Sequence, residues 1–117
     1  MEIRERQQDD LTIVELDGRL TVNDEPGLLK DAVARAVGRG ARQVLIDLSG
    51  VRYIDSTRLG ELIAAHIMVS RQGGRLKLVG TPDRILDLLS LAGLSGVFER
   101  YASIDEAAKA HAGSTNS

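Results

Sequence analysis

The chain has 117 residues, a formal net charge of −2 and no cysteine. This length is typical of one domain, and a content of 43% hydrophobic but only 3% aromatic residues predicts an aliphatic core. The slightly negative charge excludes the basic surface on which nucleic-acid binding depends. The missing cysteines exclude disulfides, thiol catalysis and cysteine-based zinc sites.

Membrane and metal signals are also missing from the sequence. No apolar run approaches the roughly 20 residues that span a bilayer, and the N-terminus lacks the apolar segment of a signal peptide. We therefore expect a soluble, cytoplasmic protein without membrane insertion. The two histidines, His66 on the apolar side of a helix and His111 near the C-terminus, form no pattern of metal ligands, so neither a metal nor a cofactor is expected.

The first half of the chain predicts a hairpin, a helix and a buried strand. Strands Ile3–Arg6 and Leu11–Leu16 flank a polar turn. In the helix that follows, Asp24, Glu25 and Pro26 suit the first turn, because the helix dipole favours acids there and proline has a helical φ. The almost continuous apolar run QVLIDL is typical of a strand buried on both faces.

The second half predicts a helix, a strand, a helix, an edge strand and a last helix. The first of these helices runs from about Ser56 to Arg71, and the alternating RLKLVG is a strand. The next helix starts at Thr81–Asp83, with the Thr81 hydroxyl as N-cap and the proline in the first helical position. GVFERY suits a short edge strand, and Ser103 with Glu106 forms a capping box before the last helix. Residues 113–117, GSTNS, are expected to be a disordered tail.

This order of elements predicts an α/β fold. Alternating strands and helices favour parallel pairing with crossover helices, and the hairpin adds an antiparallel edge. We expect a single domain over residues 1–112, with a mixed sheet of four to five strands and about four helices. The periodicity leaves open whether the helices cover one face of the sheet or both.

The start of the second helix carries an acid and two hydroxyls, Asp55-Ser56-Thr57. A helical wheel of about 100° per residue places Thr57 outward and Ser56 nearer the apolar side. The outward stripe is small and apolar, which suits docking by a partner. The wheel assigns Leu59, Leu62, Ile63, His66, Ile67 and Ser70 to the inner side and Thr57, Glu61, Ala64, Ala65 and Met68 to the outer side.

The residues alone leave two roles open for this start. Asp55 is a good N-cap, and serine and threonine are common in a first turn, so the segment can serve only to begin the helix. Alternatively, Thr57 accepts a phosphate, because the free amides and the dipole of a helix N-terminus favour an anion. Asp55 would oppose the phosphate by repulsion, and Arg52 and Arg58 would offset that repulsion.

The segment LIDLSGVRYIDSTRLGELIAA resembles the signature of the STAS domain, as found in bacterial anti-sigma-factor antagonists. In that family a buried strand ends in an Asp-Leu pair, here Asp47-Leu48. A turn of the pattern Asp-Ser-(Ser/Thr)-Gly-Leu-Gly then opens a helix, here Asp55 to Gly60. LDGRL and LAGLSGVFERYASIDEAAKA resemble further family patterns, so the resemblance extends from about Ile3 to Ala110.

The resemblance implies a phosphorylation-switched module that has no catalytic residues. The phosphorylated hydroxyl of the family falls on Thr57, with Ser56 as the second choice. In this family, an anti-sigma factor of the ATP-binding serine/threonine kinase type phosphorylates the antagonist. Only the unphosphorylated antagonist binds the anti-sigma factor and so frees a sigma factor. A phosphatase removes the phosphate and resets the switch. We expect a monomer or weak dimer that does not bind nucleic acid directly. The expected partner-binding residues are Asp24, Asp55, Ser56, Thr57, Arg58, Glu61, Ala64, Ala65 and Met68.

Two positions depart from the family pattern. Arg58 replaces the glycine that follows the hydroxyl pair, so its side chain is expected in or beside the docking face, where it would clasp the phosphate or block a partner. Thr21 stands where the family has an acid after Gly-x-Leu. Asp24 either takes the role of that acid or caps the first helix.

Two other functions compete with the switch. The first is a STAS scaffold or regulatory subunit in another assembly, such as a stressosome-like complex or a membrane transport complex, without sigma-factor control. The second is a receiver-like domain that takes phosphate on Asp47 or Asp55, but Lys30, Lys77 and Lys109 are not placed to steady that phosphate. We therefore interpret Asp47 as a structural hydrogen-bonding residue.

Overall fold

The computed structural model describes residues 2–20 and 27–115, with only the backbone for Leu20 and residues 112–115. Five strands and four helices lie in this part of the chain. In chain order they are β1 Glu2–Gln8, β2 Leu11–Leu20, α1 Leu28–Gly38, β3 Gln43–Ile54, α2 Ser56–Arg71, β4 Arg75–Val79, α3 Asp83–Leu91, β5 Glu99–Tyr101 and α4 Ile104–Thr115.

The strands form one mixed sheet in the order β1-β2-β3-β4-β5. β1 pairs antiparallel with β2 through a tight turn in which Asp9 adopts a left-handed conformation with φ of 54°. The other neighbours pair in parallel. The predicted fold class, a mixed sheet with an N-terminal antiparallel hairpin and four helices, is confirmed.

Helices cover both faces of the sheet, but unequally. On one face, Val44, Ile46 and Leu48 of β3 belong to a core cluster with buried residues of α1, α2 and α3. On the other face, Leu45 of β3 belongs to a smaller cluster with Ala107 of α4. Because side chains alternate along a strand, a run buried on both faces must be apolar on successive residues, as at Val44, Leu45 and Ile46.

β2 and β3 are longer than their sequence patterns predicted. After Leu16 and Leu48 both strands continue through a β-bulge and stay paired up to Leu20 and Ile54. The bulge brings the strands close together, since a Cβ on Gly50 would lie 2.7 Å from Asp17 Oδ1. β4 pairs only with the first part of β3, so the second part projects beyond β4 and carries the start of α2 with it.

Two helix starts differ from their predictions. α1 begins at Leu28, after Gly27 with φ of 81°; the expected first-turn residues Asp24, Glu25 and Pro26 lie outside the described residues. α3 begins at Asp83, and the prediction that Thr81 caps it is wrong. Pro82 is the N-cap, with an extended ψ of 150°, which leaves the Thr81 hydroxyl one residue too far from the free amides of the helix.

The last helix keeps its predicted cap but extends further. The Ser103 hydroxyl accepts the Glu106 amide hydrogen at 3.1 Å, and the Glu106 carboxylate accepts the amide hydrogen of Ala102 at 2.9 Å. α4 continues to Thr115 and so includes three residues of the expected disordered tail. A single glycine, Gly113, costs about 1 kcal/mol in a helix relative to alanine, which is too little to end α4 by itself.

Candidate functional site

The start of α2 is fixed by Asp55. This residue follows β3 with an extended backbone, and its Oδ1 accepts the amide hydrogen of Arg58 at 2.9 Å. An aspartate in this position satisfies one of the free amides of the first turn, a contribution of about 1 kcal/mol. The predicted capping role of Asp55 is therefore present in the structure.

The two hydroxyls beside this cap are accessible. Ser56 and Thr57 are both exposed, and neither hydroxyl forms a hydrogen bond with another residue in the described part of the chain. The outward position of Thr57 agrees with the helical wheel. Ser56, which the wheel placed nearer the apolar side, is exposed as well, so exposure does not distinguish between the two hydroxyls.

Arg58 points into the protein, which corrects the expectation that it borders the docking face. The residue is only 2% exposed, and its guanidinium forms an ion pair with the Glu61 carboxylate. The other carboxylate oxygen of Glu61 accepts the amide hydrogen of Lys30 at 3.3 Å, which joins α2 to the first turn of α1. A buried arginine requires such a partner, because desolvating an unpaired charge costs several kcal/mol.

The rotation of α2 also differs from the wheel. Ala65, predicted to face outward, is 0% exposed and lies in the main core cluster, whereas Ile67, predicted to face inward, is 44% exposed. Ser70 is exposed too, and Ala64 and Met68 are half-buried. Because the wheel counted Ile67 and Ser70 as inner residues, its buried side was rotated about the helix axis relative to the observed one. The rotation is less than the angle between successive residues, about 100°.

The corrected outer side of α2 contains an apolar groove beside α1. This α2 groove has a volume of about 350 Å³ and is lined by Lys30, Ala64, Ile67, Met68, Arg71 and Gln72. Thr57 lies seven residues before Ala64 and therefore on the same side of the helix, about 10 Å along the axis. The exposed hydroxyl and the groove thus belong to one continuous surface.

Asp47 does not line the groove. Asp24, expected to bind the partner, lies outside the described residues. Asp47 Oδ1 accepts hydrogen bonds from the amide and hydroxyl of Ser49, at 3.0 and 2.7 Å. These bonds support its interpretation as a structural residue.

A polar cluster that the sequence did not predict lies on the α4 face. Lys77 of β4 is 4% exposed, with its ammonium 3.3 Å from the Glu99 carboxylate and 5.6 Å from the centre of the Tyr101 ring. The Tyr101 hydroxyl donates a hydrogen bond to Glu99. This bond lowers the pKa of Glu99, to which the Lys77 ammonium also contributes, and it raises the pKa of Tyr101 together with burial of the phenol.

The described ranges contain neither a metal-binding cluster nor a membrane-spanning helix. Residues 2–20 and 27–115 hold no group of three or more histidine, cysteine, aspartate or glutamate residues arranged to bind a metal ion. Within the same ranges, none of the helices has the length and apolar character to cross a membrane.

Two proteins of similar sequence share the name anti-sigma-B factor antagonist. The anti-sigma-B factor antagonist of Bacillus subtilis (strain 168) is 33% identical over 86 residues, which cover 74% of this chain and 77% of the relative. The anti-sigma-B factor antagonist of Listeria monocytogenes is 31% identical over 99 residues, or 85% of each chain. Both names place these relatives in the control of sigma factors, and thus in transcription regulation and signal transduction.

The fold also matches solved structures. The crystal structure of the Thermotoga maritima protein tm1081 matches with a TM-score of 0.83 and 25% sequence identity, over 92% of each chain. Residues 2–107 of this chain match the STAS domain as a family. The resemblance read from the α2 segment is confirmed: with this sheet, this helix start and a match over most of its length, the chain belongs to the STAS domain family.

Proposed function

We propose that this protein is a phosphorylation-switched antagonist of an anti-sigma factor. In its unphosphorylated form it binds an anti-sigma factor of the ATP-binding serine/threonine kinase type through the outer side of α2, and so releases a sigma factor. The kinase activity of that partner transfers phosphate to Thr57, and a phosphatase removes it. The names of the relatives support an anti-sigma factor as the partner, and the kinase type and the phosphatase are what the STAS resemblance implies.

The observation that carries this proposal is the state of Thr57. Its hydroxyl is exposed in the first turn of α2, while Asp55 already supplies the side-chain cap. A residue that is not needed to begin the helix, and that lies on the same side of α2 as an apolar groove, is suited to modification. The free amides of the first turn would accommodate the phosphate.

A phosphate at Thr57 would weaken docking through its charge. It adds about −1.5 to −2 charges, which the partner would have to desolvate at the edge of an apolar contact. Arg58 could neutralise this charge only by breaking its buried ion pair with Glu61, which would cost free energy. The adjacent Asp55 carboxylate adds repulsion, so phosphorylation makes the start of α2 more negative.

Phosphate mapping tests the acceptor. The protein is incubated with ATP and the kinase-type anti-sigma factor encoded by the same organism, and the product is digested and analysed by mass spectrometry. Wild type and Ser56→Ala should be phosphorylated at Thr57, whereas Thr57→Ala should not be modified. Phosphate on Ser56 or Asp55 of the wild type would show that the acceptor is assigned to the wrong residue.

A further inference from the structure

The α2 groove combines an apolar floor with unpaired positive charge. Ala64, Ile67 and Met68 supply the apolar side chains, and Lys30 of α1 and Arg71 of α2 also line the groove. Both cationic residues are exposed, and within the described residues neither side chain forms an ion pair. Among the described residues, the groove lining includes no carboxylate. An occupant would therefore meet apolar surface together with two cations.

We propose that the α2 groove binds an acidic amphipathic helix of the partner. Its apolar side chains would contact Ile67 and Met68, and its carboxylates would pair with Lys30 and Arg71. This inference rests on the proposed function for the identity of the partner, and it adds the chemistry of the segment that docks. Complementary charges of this kind raise the association rate and select the partner more than they raise affinity.

The chemistry of the groove favours a helix over an extended segment. Its walls are side chains of two helices, so it offers no strand edge with free backbone groups. A helix satisfies its own backbone hydrogen bonds and can present an apolar stripe to such a surface. An extended segment would place unpaired amide and carbonyl groups against Ile67 and Met68, at a cost of about 1–3 kcal/mol for each buried group.

The groove also fits a protein better than an anionic membrane. Recognition of acidic lipids ordinarily uses clusters of about four to eight basic residues. The groove has two, and the chain as a whole carries a net charge of −2.

The first test uses synthetic peptides and does not depend on the anti-sigma factor. One peptide is an amphipathic helix with a leucine stripe flanked by glutamates, and the other carries lysine at each glutamate position. Titration into ¹⁵N-labelled protein should move the amide resonances of Ala64, Ile67 and Arg71 with the acidic peptide only. Equal shifts with both peptides, or no shifts in the groove with either, would overturn the inference.

The second test uses charge reversal against the full-length anti-sigma factor. Lys30→Glu/Arg71→Glu should weaken binding at least tenfold and reduce its dependence on salt. The matched control, Arg100→Glu/Lys109→Glu, makes the same change in net charge at exposed positions away from the groove and should bind as wild type does. Circular dichroism and urea unfolding of each variant would establish that it is folded.

The two tests separate this inference from the proposed function. Unchanged anti-sigma binding by the folded groove variant would overturn the inference and leave the switch in place. Selective binding of the acidic peptide by a protein that does not bind the anti-sigma factor would support the groove and reject the switch. Co-sedimentation of wild type, but not the groove variant, with phosphatidylserine vesicles would reject a protein occupant in favour of a membrane.

Discussion

Arg58 lies beneath the first turn of α2, where its guanidinium forms an ion pair with the carboxylate of Glu61. The arginine occupies the position at which the STAS pattern has a glycine, and it adds a cation without presenting that cation to a partner. Glu61 also accepts the amide hydrogen of Lys30. The side chain that departs from the family pattern is therefore buried, and through Glu61 it helps to connect α2 with α1.

Breaking this ion pair from one side should destabilise the fold. Arg58→Met would leave the Glu61 carboxylate largely buried without its cation, and the free energy of unfolding should fall by about 3 kcal/mol. Arg58→Met/Glu61→Gln should recover part of this loss, because no buried charge remains. Urea unfolding of wild type, both single variants and the double variant would measure the coupling. Full stability of Arg58→Met would mean that the pair is not formed in solution.

Charge at Thr57 should control partner binding. Thr57→Ala removes the acceptor and keeps the surface uncharged, so this variant should bind the anti-sigma factor whether or not ATP is present. Thr57→Glu should bind more weakly, although a carboxylate has less charge than a phosphate. Ser56→Glu provides the neighbouring-site control. Calorimetric titration that gave equal affinities for wild type, Thr57→Ala and Thr57→Glu would reduce Thr57 to a helix-start residue.

The parts of this molecule that sequence predicted correctly depend on local signals. α2 runs from Ser56 to Arg71 as expected, because Asp55 caps its first turn and the paired glycines after Gln72 stop it. The family motif lies in the same segment and identified the family. Each of these features needs only residues that are near one another along the chain.

The errors concern features that neighbouring elements decide. The sequence patterns ended the second strand at Leu16 and the third at Leu48, but β2 and β3 stay paired through the irregular region around Gly18 and Gly50, which single-strand patterns do not show. The rotation of α2 depends on α1 and the sheet, against which the small Ala65 packs closely. The inward direction of Arg58 depends on Glu61 and on the contact of Glu61 with α1.

Two adjacent alanines offer a direct test of the corrected helix rotation. Ala64→Glu places a carboxylate in the half-buried groove, so the protein should stay folded, with a change in unfolding free energy of about 1 kcal/mol or less, and should lose partner binding. Ala65→Glu buries the same carboxylate in the core and should cost about 4 kcal/mol or more. Circular dichroism melts would compare the two variants. Tolerance of both substitutions would restore the original wheel, which places both alanines on the outer side.

The stabilisation that comes from the hydrogen bond between Tyr101 and Glu99 should be lost at both low and high pH. It lowers the pKa of Glu99 below its ordinary value of 4.5, so the stabilisation is complete above that value and is lost as pH falls through the lower pKa of the folded state. It raises the pKa of Tyr101 above 10.0, so the stabilisation is present below that value and is lost as pH rises through the raised pKa.

Tyrosinate absorbance can measure this effect directly, because Tyr53→Phe leaves Tyr101 as the only phenol in the chain. The titration midpoint of Tyr101 in that background should lie above 10.0 and should move down when Glu99→Gln removes the carboxylate charge. Arg100→Gln, a neighbouring change of charge on β5, serves as the control and should leave the midpoint close to that of the background. If Glu99→Gln leaves the midpoint unchanged, the Tyr101 hydroxyl does not donate to Glu99 in solution. Any loss of folding stability at acid and alkaline pH would then require another cause.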